Sequence, residues 1–399
     1  MPEAVIVATG RTPIGRANKG SLVECRPDDL SSLIIDAVLA KVAQVDAATV
    51  EDVIWGCGQP AGEAGVNVAR VSALLAGVDV PGVTVNRYCS SSLQTIRMAA
   101  HAIRAGEGDV FVSGGVETVS RFMNGMADGG PSNPKFDEAR ARTKERHAAG
   151  APKWTPQPGL PDVYIAMGQT AENVAQAESV TREEMDEFAA LSQQRAVASQ
   201  ENGFFEREIT PVTTPDGTVV TKDDGPRPGT TVEKLATLNP VFRPDGTVTA
   251  GNACPLNDGA AAVVVMSDTR AEQLGVKPLA RVVASGVSAL NPEIMGLGPI
   301  EASRQALKRA NMTIDDIDLV EINEAFAAQV IPSAKHLGVP WEKLNVHGGA
   351  IALGHPFGMT GARIMTTLIN GLETDGKRYG LETMCVGGGQ GMAMIIERL

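Results

Sequence analysis

The 399-residue chain has no CxxC pair, no surplus of positive charge, and no apolar run of the ~18 residues that a membrane helix needs. Its five cysteines, at 25, 57, 89, 254 and 385, are odd in number and widely spread, so neither a disulfide framework nor a zinc cluster organises the fold. Lys and Arg total 35 against 47 Asp and Glu, a formal charge of −12. That balance disfavours nucleic acid or an anionic membrane as a partner, and an anionic ligand then needs a local basic site. The opening stretch MPEAVIVATGRTPIG holds a short β-branched run, with neither a basic-then-apolar leader nor an Arg/Ser-rich amphipathic segment. The expected location is therefore the cytoplasm.

What is present is apolar mass, 43% of the residues, which suits two or three domains at roughly 100–200 residues each. From residue 29 to 118 helical and β-like stretches alternate: DDLSSLIIDAVLAKV, EDVIWG, GVNVARVSALLAGV, VTVN, SLQTIRMAAHAIRAG, DVFVSGG. This is an α/β pattern. Between 121 and 247 Pro, Gly and charge become dense, with one helical stretch expected from about 170 to 202, which reads as an insertion. The α/β texture resumes with AAAVVVMSD, PLARVVASGVSAL, the helix PIEASRQALKRAN with Pro299 in its first turn, and IDLVEIN. Three segments recur in the same order: VEDVIWG with DIDLVEIN, VTVNRYCSSS with LNVHGGAIALG, and GDVFVSGGVETVS with LETMCVGGGQGMAMI. Two related halves with facing corners are predicted.

Four segments carry candidate chemistry. In VNRYCSSSLQ a strand crosses a polar corner into a helix marked by Leu93, Ile96, Ala100 and Ile103 and stopped at Gly106. Cys89 at that corner is either a packed cysteine or a nucleophile, because a helix amino end favours the thiolate and lowers the thiol pKa. In HGGAIALGHPFGMTGAR, residues 347–363, five glycines permit tight turns and close approach of backbone to a ligand. His355 in that loop is a candidate base, whereas His347 reads as a surface or packed histidine. Cys385 closes a strand before Gly387, Gly388 and Gly389, whose N–H groups can converge as an oxyanion hole beside a proton-exchanging thiol. No helix with a ribose-binding acid follows, so this is a poor dinucleotide loop. Asn323, in EINEAFAAQ, either caps a helix or holds a water or carbonyl. Thiol, imidazole and carbonyl donors together serve acyl transfer through a thioester, without metal or redox cofactor.

These segments, with MGQTAENVA and GTVTAGNACPLNDGAAA, resemble the thiolase family of acetyl-CoA acyltransferases, in family order over essentially the whole chain. The resemblance implies a thiolase fold, two related α/β halves layered α-β-α-β-α: residues 1–120 with 248–272, then an inserted CoA-binding loop domain at 121–247, then 273–399. It implies that Cys89 is acylated when a 3-ketoacyl-CoA is cleaved, with His355 activating it and Cys385 exchanging the proton of the acetyl-CoA enolate. Asn323, through a bound water, and His355 would stabilise the enolate oxygen, and the N–H groups of Cys89 and Gly387 the thioester oxygen. Arg227 matches a position near the CoA adenine, Met167, Met295 and Phe326 positions lining the acyl and pantetheine pocket, and Cys254 a CoA contact. CoA enters as a substrate, no cofactor is implied, and the assembly is a homodimer or homotetramer. Three positions depart from common family usage: Ala166 where acetoacetyl-specific members often have histidine, Ser92 where glycine is frequent, and Cys254 where serine is frequent. CSSxLQ is closer to degradative 3-ketoacyl-CoA thiolases and CVGGGQGMAM to biosynthetic ones, so chain length stays open between a broad thiolase and an acetoacetyl-CoA thiolase. A decarboxylating ketosynthase and a non-catalytic acyl-CoA-binding relative are the other readings.

Overall fold

The computed structural model describes residues 2–399. Its strands are β1 (Ala4–Arg11), β2 (Gly15–Arg16), β3 (Asp52–Gly56), β4 (Gly82–Val85), β5 (Val110–Thr118), β6 (Val212–Thr213), β7 (Val219–Val220), β8 (Asn257–Ser267), β9 (Ala280–Ala289), β10 (Leu319–Ile322), β11 (Tyr379–Val386) and β12 (Gln390–Arg398). β6 and β7 form a small hairpin of their own. The others follow the order β10-β11-β12-β9-β1-β8-β5-β3-β4, with β2 beside β8. Every residue of β5 and β8 is buried, which is why both read as continuous apolar runs rather than alternating ones.

The path divides naturally at β1. That strand pairs with β8 at seven positions but meets β9 at only two, Val5↔Arg281 and Ile6↔Ala280. On one side β3 runs parallel to both β4 and β5, and β5 pairs antiparallel with β8. On the other, β10 runs parallel to β11 and is bridged in parallel at Leu344, while β11 pairs antiparallel with β12. The same pairing scheme thus occurs twice, in the order of the repeated segments.

Three helical layers sandwich these two sets. Pro27–Ala40 and Val68–Leu75 cover the outer face of the first set around Val53, Trp55 and Val264. Gly298–Ala310 and Ala327–Leu337 cover the outer face of the second around Ile322, Leu381 and Ile395. Ser91–Ala105 and Thr360–Thr374 lie between them, sharing one core with Ile6, Val263, Met384 and Met394. Both central helices start at predicted functional corners. Gly106 ends the first of them in the left-handed conformation, φ 78°, as its sequence position indicates.

The single helical stretch expected from 170 to 202 is two helices, Met167–Glu178 and Arg182–Glu201. Ser179 turns left-handed (φ 56°), and Thr181 opens a capping box: its hydroxyl accepts from Glu184 N–H at 3.2 Å and the Glu184 carboxylate accepts from Thr181 N–H at 2.7 Å. Among the described residues no helix is long and apolar enough to cross a membrane.

Candidate active site

Cys89 lies in a tight turn, Tyr88–Ser90, immediately before the helix Ser91–Ala105. Tyr88 carries the turn at φ 42°, a costly conformation for a bulky residue. It is held there by its neighbours: Tyr88 N–H donates to Asn86 Oδ1 at 2.8 Å, and the Ser91 hydroxyl donates to the Tyr88 carbonyl at 2.7 Å while accepting Arg87 N–H at 2.9 Å. The Cys89 sulfur is nearly enclosed, and the backbone N–H groups of Gly387 and of Cys89 itself lie where they favour its anion. Burial nevertheless pushes the thiol up to about 11, against those two N–H groups, and the nearby Glu117 adds to the rise. The resident thiolate expected at a helix end is therefore corrected. Desolvation outweighs the dipole, and Cys89 rests as a thiol at neutral pH.

His355 is buried on a loop docked against that corner, where Ala362 N–H donates to Ser92 Oγ at 2.9 Å. Its Nε2 is 3.3 Å from the side-chain nitrogen of Asn323, which can only donate, so Nε2 is the accepting nitrogen. The proton then sits on Nδ1, 2.6 Å from Thr360 Oγ1, whose own hydrogen goes to the Pro356 carbonyl at 2.8 Å. Burial, reinforced by the charge of Arg363, pushes the imidazole down to about 3. His355 is thus a neutral ring of fixed tautomer whose unprotonated Nε2 faces the Asn323 amide, and Asn257 Oδ1 holds its backbone N–H at 3.0 Å.

Asn323 is not a helix cap. The helix begins at Ala327, and Asn323 N–H donates to the Thr383 carbonyl at 3.0 Å. Its side-chain oxygen is buried without a protein partner. The next residue, Glu324, ties the loop to the glycine-rich segment: its carboxylate accepts from Ser192 Oγ at 2.6 Å, Asn345 Nδ2 at 2.8 Å and Ile351 N–H at 3.0 Å. Part of that segment is helical after all, a single turn at Ala350–Leu353 and the start of the helix Thr360–Thr374.

Cys385 is fully buried opposite Gly391 at the end of β11. Burial pushes its thiol far up, and Cys89 and Cys254 add to the rise, so three sulfurs share one locality. The turn Gly387–Gly389 between β11 and β12 needs left-handed backbone at Gly388 (φ 78°) and Gly389 (φ 79°). Gln390 couples this turn to the Cys89 corner, accepting from Arg87 Nη1 at 3.0 Å and donating to the Gly387 carbonyl at 3.2 Å.

Met295 and Phe326, both buried, and the half-buried Met167 pack in one apolar cluster with Cys385. Cys254 is placed beside them by its N–H to the Ala325 carbonyl at 3.0 Å. Arg227 is apart from this group. It is exposed on a shallow cleft with Gln193, Val197 and Pro228, and its N–H donates to Gln193 Oε1 at 2.8 Å. His347 is a packed residue, stacked on Phe204 at 3.6 Å with Nδ1 at 3.2 Å from Ser199 Oγ.

Three residues around His355 escaped the sequence reading. Thr360 stood inside the quoted loop, and its hydroxyl five residues after the histidine was the available signal. Asn257 and Glu117 act across 98 and 241 residues, which a single sequence does not reveal. Buried Glu117 accepts from Gly58 N–H at 2.7 Å, Gly358 N–H at 2.9 Å and Gln59 N–H at 3.1 Å, so one carboxylate joins the His355 loop to β5. Burial pushes it up to about 7 against those three donors.

Comparison with known proteins places this architecture. Residues 4–269 match the model of the thiolase N-terminal domain and residues 276–398 that of the thiolase C-terminal domain. The chain belongs to the thiolase family and is an acyl-transferring enzyme. A beta-ketoadipyl-CoA thiolase of Acinetobacter baylyi is 46% identical over 411 residues, and a 3-ketoacyl-CoA thiolase of Vibrio vulnificus is 45% identical over 409, each covering 100% of both chains. The crystal structure of the Bacillus anthracis acetyl-CoA acetyltransferase superposes with a TM-score of 0.86 at 39% identity, covering 100% of this chain and 99% of that one.

Proposed function

We propose that this enzyme cleaves 3-ketoacyl-CoA with CoA through an acyl-Cys89 intermediate, and runs the reverse condensation by the same steps. The observation that carries the reading is a corner holding a protonated, buried Cys89 and a loop docked against it holding a neutral His355, whose basic Nε2 is engaged only by the exchangeable Asn323 amide. His355 takes the thiol proton as sulfur attacks the 3-keto carbon. The C2–C3 bond breaks, the electron pair leaves on the acetyl-CoA enolate, and Cys385 supplies its proton. The N–H groups of Cys89 and Gly387, which favour negative charge at this corner, hold the developing oxyanion. The unpaired oxygen of Asn323 suits a water that steadies the enolate. The CoA thiol then gives its proton to the Cys385 thiolate and attacks the acyl-cysteine, and as the acyl–sulfur bond breaks Cys89 leaves and regains its proton from His355. CoA is a substrate here, and the scheme uses no metal or other cofactor.

In this reading 1–120 with 248–272 and 273–399 are the two halves, 121–247 is the CoA-binding loop domain, Arg227 meets the adenine, and the enzyme works in the cytoplasm. Cys385 at the glycine turn favours thiolase over ketosynthase chemistry. The relative named for beta-ketoadipyl-CoA, a longer ketoacyl group than acetoacetyl, supports substrates longer than acetoacetyl-CoA. A profile of kcat/KM across chain lengths, run beside Cys89→Ala, is the test. Activity is expected on medium-chain substrates and none in the variant, whereas undiminished turnover in Cys89→Ala overturns the assignment.

Self-association is supported by the open sheet edge at β4, where Val66 is 78% exposed and Leu74, Leu75 and Val83 are exposed beside it. Light scattering is expected to give two or four times the chain mass of 41.6 kDa, and a monomer excludes this reading.

A further inference from the structure

Residues 151–166, between the helices Asp137–Glu145 and Met167–Glu178, form no regular secondary structure, so side-chain anchors have to fix their course. Three points along or just before this strap converge on one buried carboxylate in the C-terminal part of the chain. Glu293 Oε2 accepts from Arg146 Nη1 at 2.6 Å and from Trp154 Nε1 at 2.7 Å, and Oε1 accepts from Asp162 N–H at 3.0 Å. Asn173 Nδ2 donates to the Glu293 carbonyl at 2.8 Å, fixing the backbone from the helix that Met167 begins. Glu293, Arg146 and Trp154 are all more than nine-tenths buried.

The position of this clamp gives it a consequence for substrate choice. Glu293 stands two residues before Met295, and the clamped Asp162 stands five residues before Met167. The strap and the helix Asp137–Glu145 also line an open cleft of about 420 Å³, with Thr143, Lys144, His147, Asp162, Tyr164 and Ala166 on its walls, and Ala166 immediately precedes Met167. Where Met167 and Met295 line the acyl pocket, as proposed above, only a chain long enough to pass them meets the strap. We propose that Glu293 is a positioning residue that sets acyl-chain preference by holding the strap against the acyl pocket. This rests on the thiolase reading above.

The test compares kcat/KM for acetoacetyl-CoA and for 3-ketooctanoyl-CoA in the full-length enzyme, in Glu293→Gln and in Trp154→Phe. The glutamine keeps the size but presents an amide to donors that need acceptors, and the phenylalanine removes a single donor while keeping the packing. Glu293→Gln is expected to lower the preference for the longer substrate about ten-fold, chiefly through KM, with acetoacetyl-CoA within about two-fold of wild type. Trp154→Phe is expected to shift the ratio the same way by less. An unchanged ratio, or equal losses on both substrates, overturns the inference, and should Glu293→Gln not fold, Trp154→Phe decides it alone. Activity that depends on Cys89 with an unmoved ratio sinks this inference only. A wild-type enzyme inactive on both substrates sinks the thiolase reading together with it.

Discussion

His355→Ala is expected to slow acylation of Cys89 by about a thousand- to ten-thousand-fold at neutral pH, and to leave a residual rate that climbs about tenfold per pH unit. The sign follows from the two protonation states. Cys89, pushed up to about 11, is almost wholly a thiol below that value, so without a base the rate tracks the small thiolate fraction, which grows as pH rises. At pH 7 that fraction is about one in ten thousand. With His355 present the proton leaves during attack. The imidazole, pushed down to about 3, stays neutral across the working range, so the wild-type acylation rate stays level while the variant's rises. Single-turnover acylation by a 3-ketoacyl-CoA from about pH 6 to about pH 10 distinguishes the two profiles. A level profile in the variant, or a rate matching wild type, removes His355 from the role of base. Had the helix end alone made Cys89 a thiolate, this slope would be absent.

That difference marks where the sequence stopped being readable. The corner that presents Cys89 was legible because strand and helix periodicities meet there and Gly106 closes the helix. The glycine turn after Cys385 and the loop around His355 were legible because so many glycines leave little else for those segments to do. The repeat was legible in outline, and the twofold pairing scheme of β3, β4 and β5 against β10, Leu344 and β11 gives it structural content. What a one-dimensional reading misjudged was environment. A helix dipole is local and can be inferred from neighbours, whereas desolvation is set by the whole fold, and here it reverses the direction of the Cys89 shift. The tautomer of His355 likewise depends on Asn323 and Thr360 meeting the ring from separate elements. Asn323 lost its helix-cap reading for a similar reason, since its backbone belongs to the end of a strand contact with Thr383 rather than to the helix four residues on.

Buried charge is the least readable feature, and it yields the largest expected effect on stability. Arg11, in β1, is fully buried, with Nε 2.8 Å from Glu208 and Nη1 and Nη2 at 2.7 and 2.9 Å from the two oxygens of Asp223. Glu208 also accepts from Thr367 and Asn370 on the central helix, at 3.2 and 3.3 Å, and Asp223 accepts Ile14 N–H at 2.8 Å. One guanidinium therefore fastens the stretches around Glu208 and Asp223 to both β1 and the central helix Thr360–Thr374. Arg11→Met keeps the bulk and strands two carboxylates away from water, which is expected to cost about 3–5 kcal/mol in denaturant unfolding. Protonation relieves stranded carboxylates, so the deficit is expected to shrink as pH falls. Adding Glu208→Gln and Asp223→Asn should recover much of it, because the missing countercharge is then no longer required. Asp223 and Asp224 lie just before Arg227, and Asp224 accepts Arg16 N–H at 2.9 Å and Ser21 N–H at 2.8 Å; with the CoA adenine at Arg227, as proposed, loosening this anchor is expected to raise KM for CoA more than it lowers kcat. An Arg11→Met protein of wild-type stability, with the same deficit at every pH, would mean that the carboxylates find water or other partners. The anchoring of the stretches around Glu208 and Asp223 would then have to come from their apolar contacts alone.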